Sequence, residues 1–156
     1  MTDTIARIMK TIEGSTDAKK LRQIAINARE KGEQAVARAA DLRLYAILPS
    51  EAPGTLEYDV WQSIHALEGT LSNERSKTTR LARTRQKIKN VGELATVRDL
   101  VLSSKASDGF FMLIERDMPA LTFEHVALQH PDRFDSTVLD AASARLKSAG
   151  IEHPQS

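Results

Sequence analysis

Apolar residues recur with helical spacing along the chain, and this pattern predicts an all-α fold. Near the amino terminus, one stripe at positions i, i+3, i+4 and i+7 consists of Ile5, Ile8, Met9 and Ile12. No stretch alternates apolar and polar residues between hairpin turns, as a half-buried strand would. We expect an N-terminal helical hairpin unit, one long central helix whose second half is basic, and a C-terminal cluster of short helices.

Residues 1–48 are predicted to form a three-helix unit. Gly14 ends a helix over residues 3–13, and Gly32 separates a second helix from a third over residues 33–48. Alanines on both sides of Gly32 allow the second and third helices to approach closely as an antiparallel hairpin. Residues 49–54, PSEAPG, are rich in turn formers and are predicted to link this unit to a second one over residues 55–156.

The spacing of several residues in the hairpin is similar to that of one tetratricopeptide-type hairpin. These residues are Leu21, Ile24, Gly32, Ala37 and Pro49. Asp41 stands where that pattern has an aromatic residue. Arrays of this kind need about three copies to be stable, and the sequence shows no second copy. An ordinary helical hairpin is therefore the favoured interpretation.

The central helix is predicted from a strong apolar stripe that follows the linker. The stripe consists of Leu56, Val60, Ile64, Leu67 and Leu71. Thr55 precedes it at a position suited to an N-cap. If helical pitch continues to Lys89, the helix is about 50 Å long. Ser72 and Asn73 could equally cap a new helix, and a break or kink there is favoured.

Short helices with clear start and stop signals are predicted after Gly92. Their expected ranges are 97–102, 107–117, 123–129 and 138–149, and their expected starting residues include Thr96, Ser107, Thr122 and Ser136. The first two could form a helix-turn-helix, but residues 93–156 carry six basic and ten acidic residues, a net charge of −4. Because such a segment would repel a duplex, a packing role is favoured.

The strongest chemical signal is the stretch Arg75–Lys89, RSKTTRLARTRQKIK, which we call the basic segment. It has no acidic residue and carries seven cations: Arg75, Lys77, Arg80, Arg83, Arg85, Lys87 and Lys89. Without these seven, the 22 basic residues fall to 15, against 21 acidic ones. Such an asymmetry favours a polyanionic partner, most often nucleic acid.

The basic segment suits phosphate binding better than burial. On a helix its cations spread nearly all round the axis, and only Leu81, Ala82 and Ile88 could face a core. Arginine and lysine release counterions from a phosphate backbone, and threonine and glutamine donate hydrogen bonds to phosphate oxygens. The sequence therefore predicts a nucleic-acid-binding protein, DNA favoured over RNA, with an accessory or regulatory role. A solvated charged face that pairs with acidic helices is the alternative for the segment itself.

A second hypothesis is a helical protein-interaction or dimerisation module. Trp61 lies at the margin of the central apolar stripe, and tryptophan is a favoured anchor at interfaces. The candidate interface for a homodimer or another protein partner is Leu56, Val60, Trp61, Ile64, Leu67 and Leu71. The two hypotheses differ in salt dependence, since phosphate binding weakens steeply with ionic strength and an apolar seam does not.

Neither catalysis nor a bound cofactor is predicted. The chain has no cysteine, and His125 and His130 are spaced five apart, not the three or four that would align them on one helix face. The sequence lacks HExxH, GxxxxGK[ST], GxGxxG and GxSxG. We therefore expect no catalytic residue, no metal site and no enzyme activity.

The sequence also gives no membrane signal. It contains no apolar run of about 18 residues, and its amino-terminal residues lack the basic and apolar regions of a secretory signal. The basic segment lacks the bulky apolar face of an interfacial helix. We expect a cytoplasmic protein without a membrane partner.

Overall fold

Helices and short connections make up the protein. The structure, a computed structural model, describes residues 2–151. Its α-helices are α1 (Thr2–Gly14), α2 (Ala18–Glu30), α3 (Gln34–Ile47), α4 (Leu56–Arg75), α5 (Ala82–Leu102), α6 (Asp108–Glu115), α7 (Phe123–Gln129) and α8 (Ser136–Ser148). Short 3₁₀ turns occur at Pro119–Leu121 and Pro131–Arg133. Residues 2–151 contain no strand, and the predicted all-α class is confirmed.

The chain divides into two units, Met1–Ser50 and Glu51–Ser156. The division lies inside the segment 49–54 that the sequence predicts as a linker. The first unit contains α1 to α3, and the second contains α4 to α8. The last residues of the predicted unit 55–156, from 152 onwards, lie outside the described residues.

Small residues allow α2 and α3 to pack closely in the first unit. Ala25 and Ala28 on α2 and Ala37 and Ala40 on α3 are all buried. Gly32 has φ 74°, a left-handed conformation that costs glycine little and lets the chain turn between the helices. A salt bridge from Arg29 to Asp41 joins the two helices. Burial raises the pKa of Asp41 even though the Arg29 guanidinium opposes this effect.

Side-chain caps start four helices of the second unit. In each, a side-chain oxygen accepts a hydrogen bond of 3.1 Å from an amide three residues along the chain. The capping residues are Thr55, Ser107, Thr122 and Asp135. The first three are at the predicted positions. The α8 cap is Asp135 rather than the predicted Ser136, because the aspartate carboxylate reaches the amide of Val138.

The central segment is two helices, which settles the continuity that the sequence left open. Helix α4 ends at Ser76, whose φ of 53° and ψ of 32° are left-handed. The Lys77 amide donates to the Ser72 carbonyl at 3.3 Å, and the Thr79 amide donates to the Ser72 hydroxyl at 2.9 Å. The break therefore lies beyond Ser72 and Asn73, and Ser72 stabilises the connection instead of capping a new helix.

Helix α5 has a kink at Gly92, whose φ of 88° and ψ of 169° are far from helical values. Helical structure resumes directly after Gly92, earlier than the start predicted at Thr96. The Thr96 hydroxyl donates to the Gly92 carbonyl at 2.8 Å, so it bonds within a helix rather than capping one. The kink gives α5 two arms, Ala82 to Val91 and Glu93 to Leu102.

Helix α4 lies in the core of the second unit. The buried cluster of this unit consists of Leu56, Val60 and Ile64 from α4, Ile88, Val97 and Val101 from α5, Val126 and Ala127 from α7, Phe134 before α8, and Val138 and Ala142 from α8. Both arms of α5 thus contribute to one core. None of the helices in the described part of the chain has the length and apolar character that a membrane span requires.

Replacement of Gly92 by alanine tests the kink. Residues with a side chain almost never adopt the backbone conformation of Gly92, so Gly92→Ala is expected to lower the free energy of unfolding by about 1–3 kcal/mol. Urea denaturation followed by circular dichroism measures the loss. Val91→Ala is the control, because Val91 is exposed and alanine favours a helix. Equal stability of Gly92→Ala and Val91→Ala would contradict the assigned backbone conformation.

Candidate nucleic-acid interface

The basic segment contains the connection between α4 and α5 and the beginning of α5. Arg75 is the last residue of α4, Lys77 and Arg80 lie in the connection, and Arg83 is in the first turn of α5. The side chains of these four residues are exposed, as is that of Lys89 further along α5. None of the five forms a salt bridge with another described residue, so their charges are available to a partner in solution.

Arg85 points into the protein instead. Its Nε and Nη2 atoms donate hydrogen bonds to the two carboxylate oxygens of Glu68 on α4, both at 2.7 Å. The backbone amide of Leu81 donates to the same carboxylate at 2.9 Å. Glu68 thus joins the middle of α4 to the end of the connection and to the first turn of α5. We call Glu68, Arg85 and Leu81 the Glu68 clamp.

Trp61 covers the Glu68 clamp on one side. The Arg85 guanidinium carbon lies 5.1 Å from the centre of the Trp61 ring, within the range of a cation–π contact. The indole nitrogen donates to Glu93 at 3.0 Å, which fixes the ring against the second arm of α5. His65 stacks at an angle beside the ring, with 6.4 Å between the ring centres. Trp61 is therefore half-buried and engaged within its own unit.

The hydrogen bonds of the Glu68 clamp keep its carboxylate ionised. Burial alone would raise the pKa of Glu68, but the hydrogen bonds from Arg85 and from the Leu81 amide hold that pKa below its ordinary value. The same bond raises the pKa of Arg85. Burial lowers the pKa of His65, although the nearby negative charge of Glu68 opposes this effect. The carboxylate and the guanidinium therefore form a charged pair in which the Glu68 side chain is 11% exposed and the Arg85 side chain 27% exposed.

Lys87 is also paired, though more weakly. Its Nζ atom lies 2.9 Å from a carboxylate oxygen of Asp99 on the second arm of α5. Both side chains are well exposed, so water screens this salt bridge and it stabilises the kinked helix only weakly. The structure thus separates the seven cations into two that make internal contacts and five that do not.

The apolar residues of the proposed protein interface lie in the core. Leu56, Val60 and Ile64 have no exposed surface, and Leu67 and Leu71 are 7% and 8% exposed. A partner helix could reach these side chains only if the second unit opened. Trp61, the remaining member of the set, is held by Arg85 and Glu93 as described above.

Sequence reasoning missed Glu68, the residue that organises the site. Its position held a usable signal, because Glu68 follows Ile64 by four residues and therefore lies on the apolar face of α4. A carboxylate on a buried face needs a cation or several donors. The nearest cation-rich stretch downstream is the basic segment, so the pattern pointed to a pair between Glu68 and one of its arginines.

The histidines that the structure describes do not assemble a metal site. His130 makes a contact of 2.6 Å with Asp59 on α4, which joins the end of α7 to that helix. Among residues 2–151, no group of three or more histidine, aspartate or glutamate side chains is arranged to hold a metal ion. The His130 contact serves to pack α7 against α4.

Comparison of the chain with protein-family models, with curated proteins and with solved structures gives no significant match. The geometry and charge of the site therefore carry the functional argument.

Glu68→Gln tests the Glu68 clamp. The substitution leaves Arg85 without a carboxylate, and we expect the free energy of unfolding at pH 7 to fall by about 2 kcal/mol. Because the folded state lowers the pKa of Glu68, the ionised carboxylate stabilises the protein above its ordinary pKa of 4.5, and this contribution is lost as the pH falls through the lower, folded-state value. The difference between wild type and variant should therefore shrink below pH 4.5 in urea denaturation.

Glu74→Gln is the matched control for this prediction. Glu74 forms a two-point salt bridge with Arg116, at 2.5 and 2.7 Å, but its side chain is 47% exposed. We expect its substitution to change the free energy of unfolding by less than about 1 kcal/mol. Equal losses for the two variants at pH 7, or a Glu68 difference that grows on acidification, would contradict the role given to the Glu68 clamp.

Proposed function

We propose that this protein binds nucleic acid, DNA in preference to RNA, through phosphate contacts of the basic segment. The observation that carries the proposal is the set of five exposed cations without an internal salt bridge: Arg75, Lys77, Arg80, Arg83 and Lys89. Arginine and lysine that make no internal ion pair keep their full attraction for a phosphate backbone. The role proposed is accessory or regulatory, not catalytic, in a cytoplasmic protein without cysteine.

The backbone around these cations is held in place before any partner binds. The Glu68 carboxylate accepts the amide of Leu81, and the Ser72 hydroxyl accepts the amide of Thr79. Ordering a flexible loop on binding costs conformational entropy, and a loop that is already ordered avoids most of that cost. The connection therefore presents Lys77 and Arg80 from a defined backbone.

The start of α5 adds hydrogen-bond donors to this surface. Leu81 occupies the N-cap position, and no side chain caps the helix there. The amides in the first turn of a helix lack partners within the helix and suit a phosphate oxygen. Arg83 stands in the same turn and would add a charged contact.

Arg85 and Lys87 have different roles from the other five cations in this proposal. Arg85 belongs to the Glu68 clamp and stabilises the fold that presents the surface. Lys87 has Asp99 as a competing partner, so a phosphate would gain less from it. The phosphate contacts are therefore assigned to the five exposed cations.

The alternative is a protein-interaction module that binds through α4. It has less support, because the apolar stripe of that helix is buried within its own unit. Apolar side chains that remain exposed lie elsewhere, at Val91 and Leu102 on α5 and Phe111 on α6. Salt dependence still separates the two hypotheses, because contacts at such residues would not weaken with ionic strength.

The triple variant Arg75/Lys77/Arg80→Ala tests the proposal. We expect it to bind DNA more weakly at low salt, and to lower the slope of log affinity against log salt by about 3, since each lost phosphate contact removes about one unit. Fluorescence anisotropy of labelled DNA and RNA over a range of salt concentrations measures both quantities. Unfolding should change little, because none of the three side chains forms a salt bridge.

The matched control is Lys10/Lys19/Lys20→Ala. It removes the same charge from exposed lysines of α1 and α2 and leaves the basic segment intact. We expect its salt slope to stay close to that of the wild type. The proposal fails if wild-type protein binds neither DNA nor RNA at low salt, or if the two triple variants lose affinity equally.

A further inference from the structure

An open cavity of about 360 Å³ lies beside the basic segment, within the second unit. Its volume falls within the range of small-molecule sites in proteins, at the lower end. The apolar side chains of its wall include Leu67 from α4, Leu81 before α5, Phe110 and Leu113 from α6, and Phe123 from α7. Arg83 and Thr84, both in the first turn of α5, belong to the same wall.

Three polar side chains of the wall have no hydrogen-bond partner among the described residues: Arg83, Thr84 and Asp108. They supply a cation, a hydroxyl and a carboxylate. The remaining polar groups are occupied: Ser63 donates to the Leu121 carbonyl, and the Thr122 hydroxyl donates to the Pro119 carbonyl at 2.7 Å. A ligand with an anionic end and a hydrogen-bonding edge would match these open groups.

Glu124 is a buried part of the wall and is already paired. Its carboxylate accepts a hydrogen bond of 2.9 Å from Arg145, which also donates to the Leu100 carbonyl at 3.1 Å. Burial raises the pKa of Glu124 in spite of this partner. The pair joins α7, α8 and the second arm of α5, and these contacts fix the position of that side of the cavity.

We propose that the cavity receives one unpaired nucleotide of a single strand whose neighbouring phosphates lie on the basic segment. The base would enter between the apolar side chains, Asp108 would accept a hydrogen bond from a base amino group, and Arg83 would hold the adjoining phosphate. Aromatic and apolar walls of this kind accept an unstacked base, and carboxylates pair with the amino group of cytosine.

This inference rests on the proposed function and adds a choice between single-stranded and duplex DNA. In a duplex each base is stacked and paired, and its removal costs a few kilocalories per mole. A single strand avoids most of that cost. The basic segment attracts both forms, but only an unpaired base can fill the cavity, so single-stranded DNA should bind more tightly than duplex of the same length.

The test compares a single-stranded oligonucleotide of about 15 nucleotides, mixed in sequence and containing cytosine, with its duplex at one salt concentration. We expect wild-type protein to bind the single strand about tenfold more tightly. Thr84→Phe, which fills the cavity from its wall, should remove that preference, so that the single strand binds no more tightly than the duplex. Gln86→Phe is the control, because Gln86 is exposed on the same helix, and it should keep the preference.

Thermal unfolding shows whether Thr84→Phe folds, and Thr84→Leu replaces it if it does not. Methyl NMR of the wild type gives an independent readout, since the single strand should shift the methyl signals of Leu67, Leu81 and Leu113 and the duplex should not. Equal affinity for the two forms, or an unchanged preference in a folded Thr84 variant, overturns this inference while the proposed function stands. If the wild-type protein binds neither form of DNA, both this inference and the proposed function are overturned.

Discussion

The link between α4 and α5 depends on the buried carboxylate of Glu68 and on the partners that it requires. An ionised carboxylate away from water is costly unless charges and hydrogen bonds compensate for it. Here the two carboxylate oxygens accept hydrogen bonds from the Arg85 guanidinium and the Leu81 amide. Both donors belong to the segment that follows α4. That requirement fixes where the connection ends, where α5 begins and which arginine turns inward. Trp61 then covers the pair and connects it to Glu93 across the kink.

The same constraint divides the cations of the basic segment, which looks uniform in sequence, into two kinds. Arg85 stabilises the fold, while five of the other cations are exposed and form no salt bridge with the described residues. A segment of free cations alone would repel itself and remain unfolded, because its residues bury little apolar surface. The Arg85–Glu68 pair, together with Ile88 in the core at 7% exposure, holds the first arm of α5 against α4.

Local signals in the sequence predicted most of the fold, and long-range contacts account for what they missed. The helical hairpin around Gly32 and the caps at Thr55 and Thr122 follow from residues a few positions apart, and the structure has them. The break after α4 is stabilised by Ser72, which accepts the Thr79 amide seven positions away. The inward turn of Arg85 depends on Glu68, which is 17 positions from its arginine partner. The kink at Gly92 is stabilised by a core to which both arms of α5 contribute. Periodicity within α4 places Glu68 on the apolar face, but it does not identify which arginine pairs with it and does not report the kink.

The burial of the α4 stripe also changes how the two functional hypotheses must be separated. Substitution of Leu67 or Leu71 does not test a helical interface cleanly, because both side chains are buried. Their loss would leave a cavity and lower the free energy of unfolding whatever the function of the protein. Substitution of Arg85 has the same defect, since it breaks a buried pair. The exposed cations lack this coupling between folding and binding. Their loss changes the surface charge and little else, so an effect on nucleic-acid binding at these positions can be assigned to the contact itself.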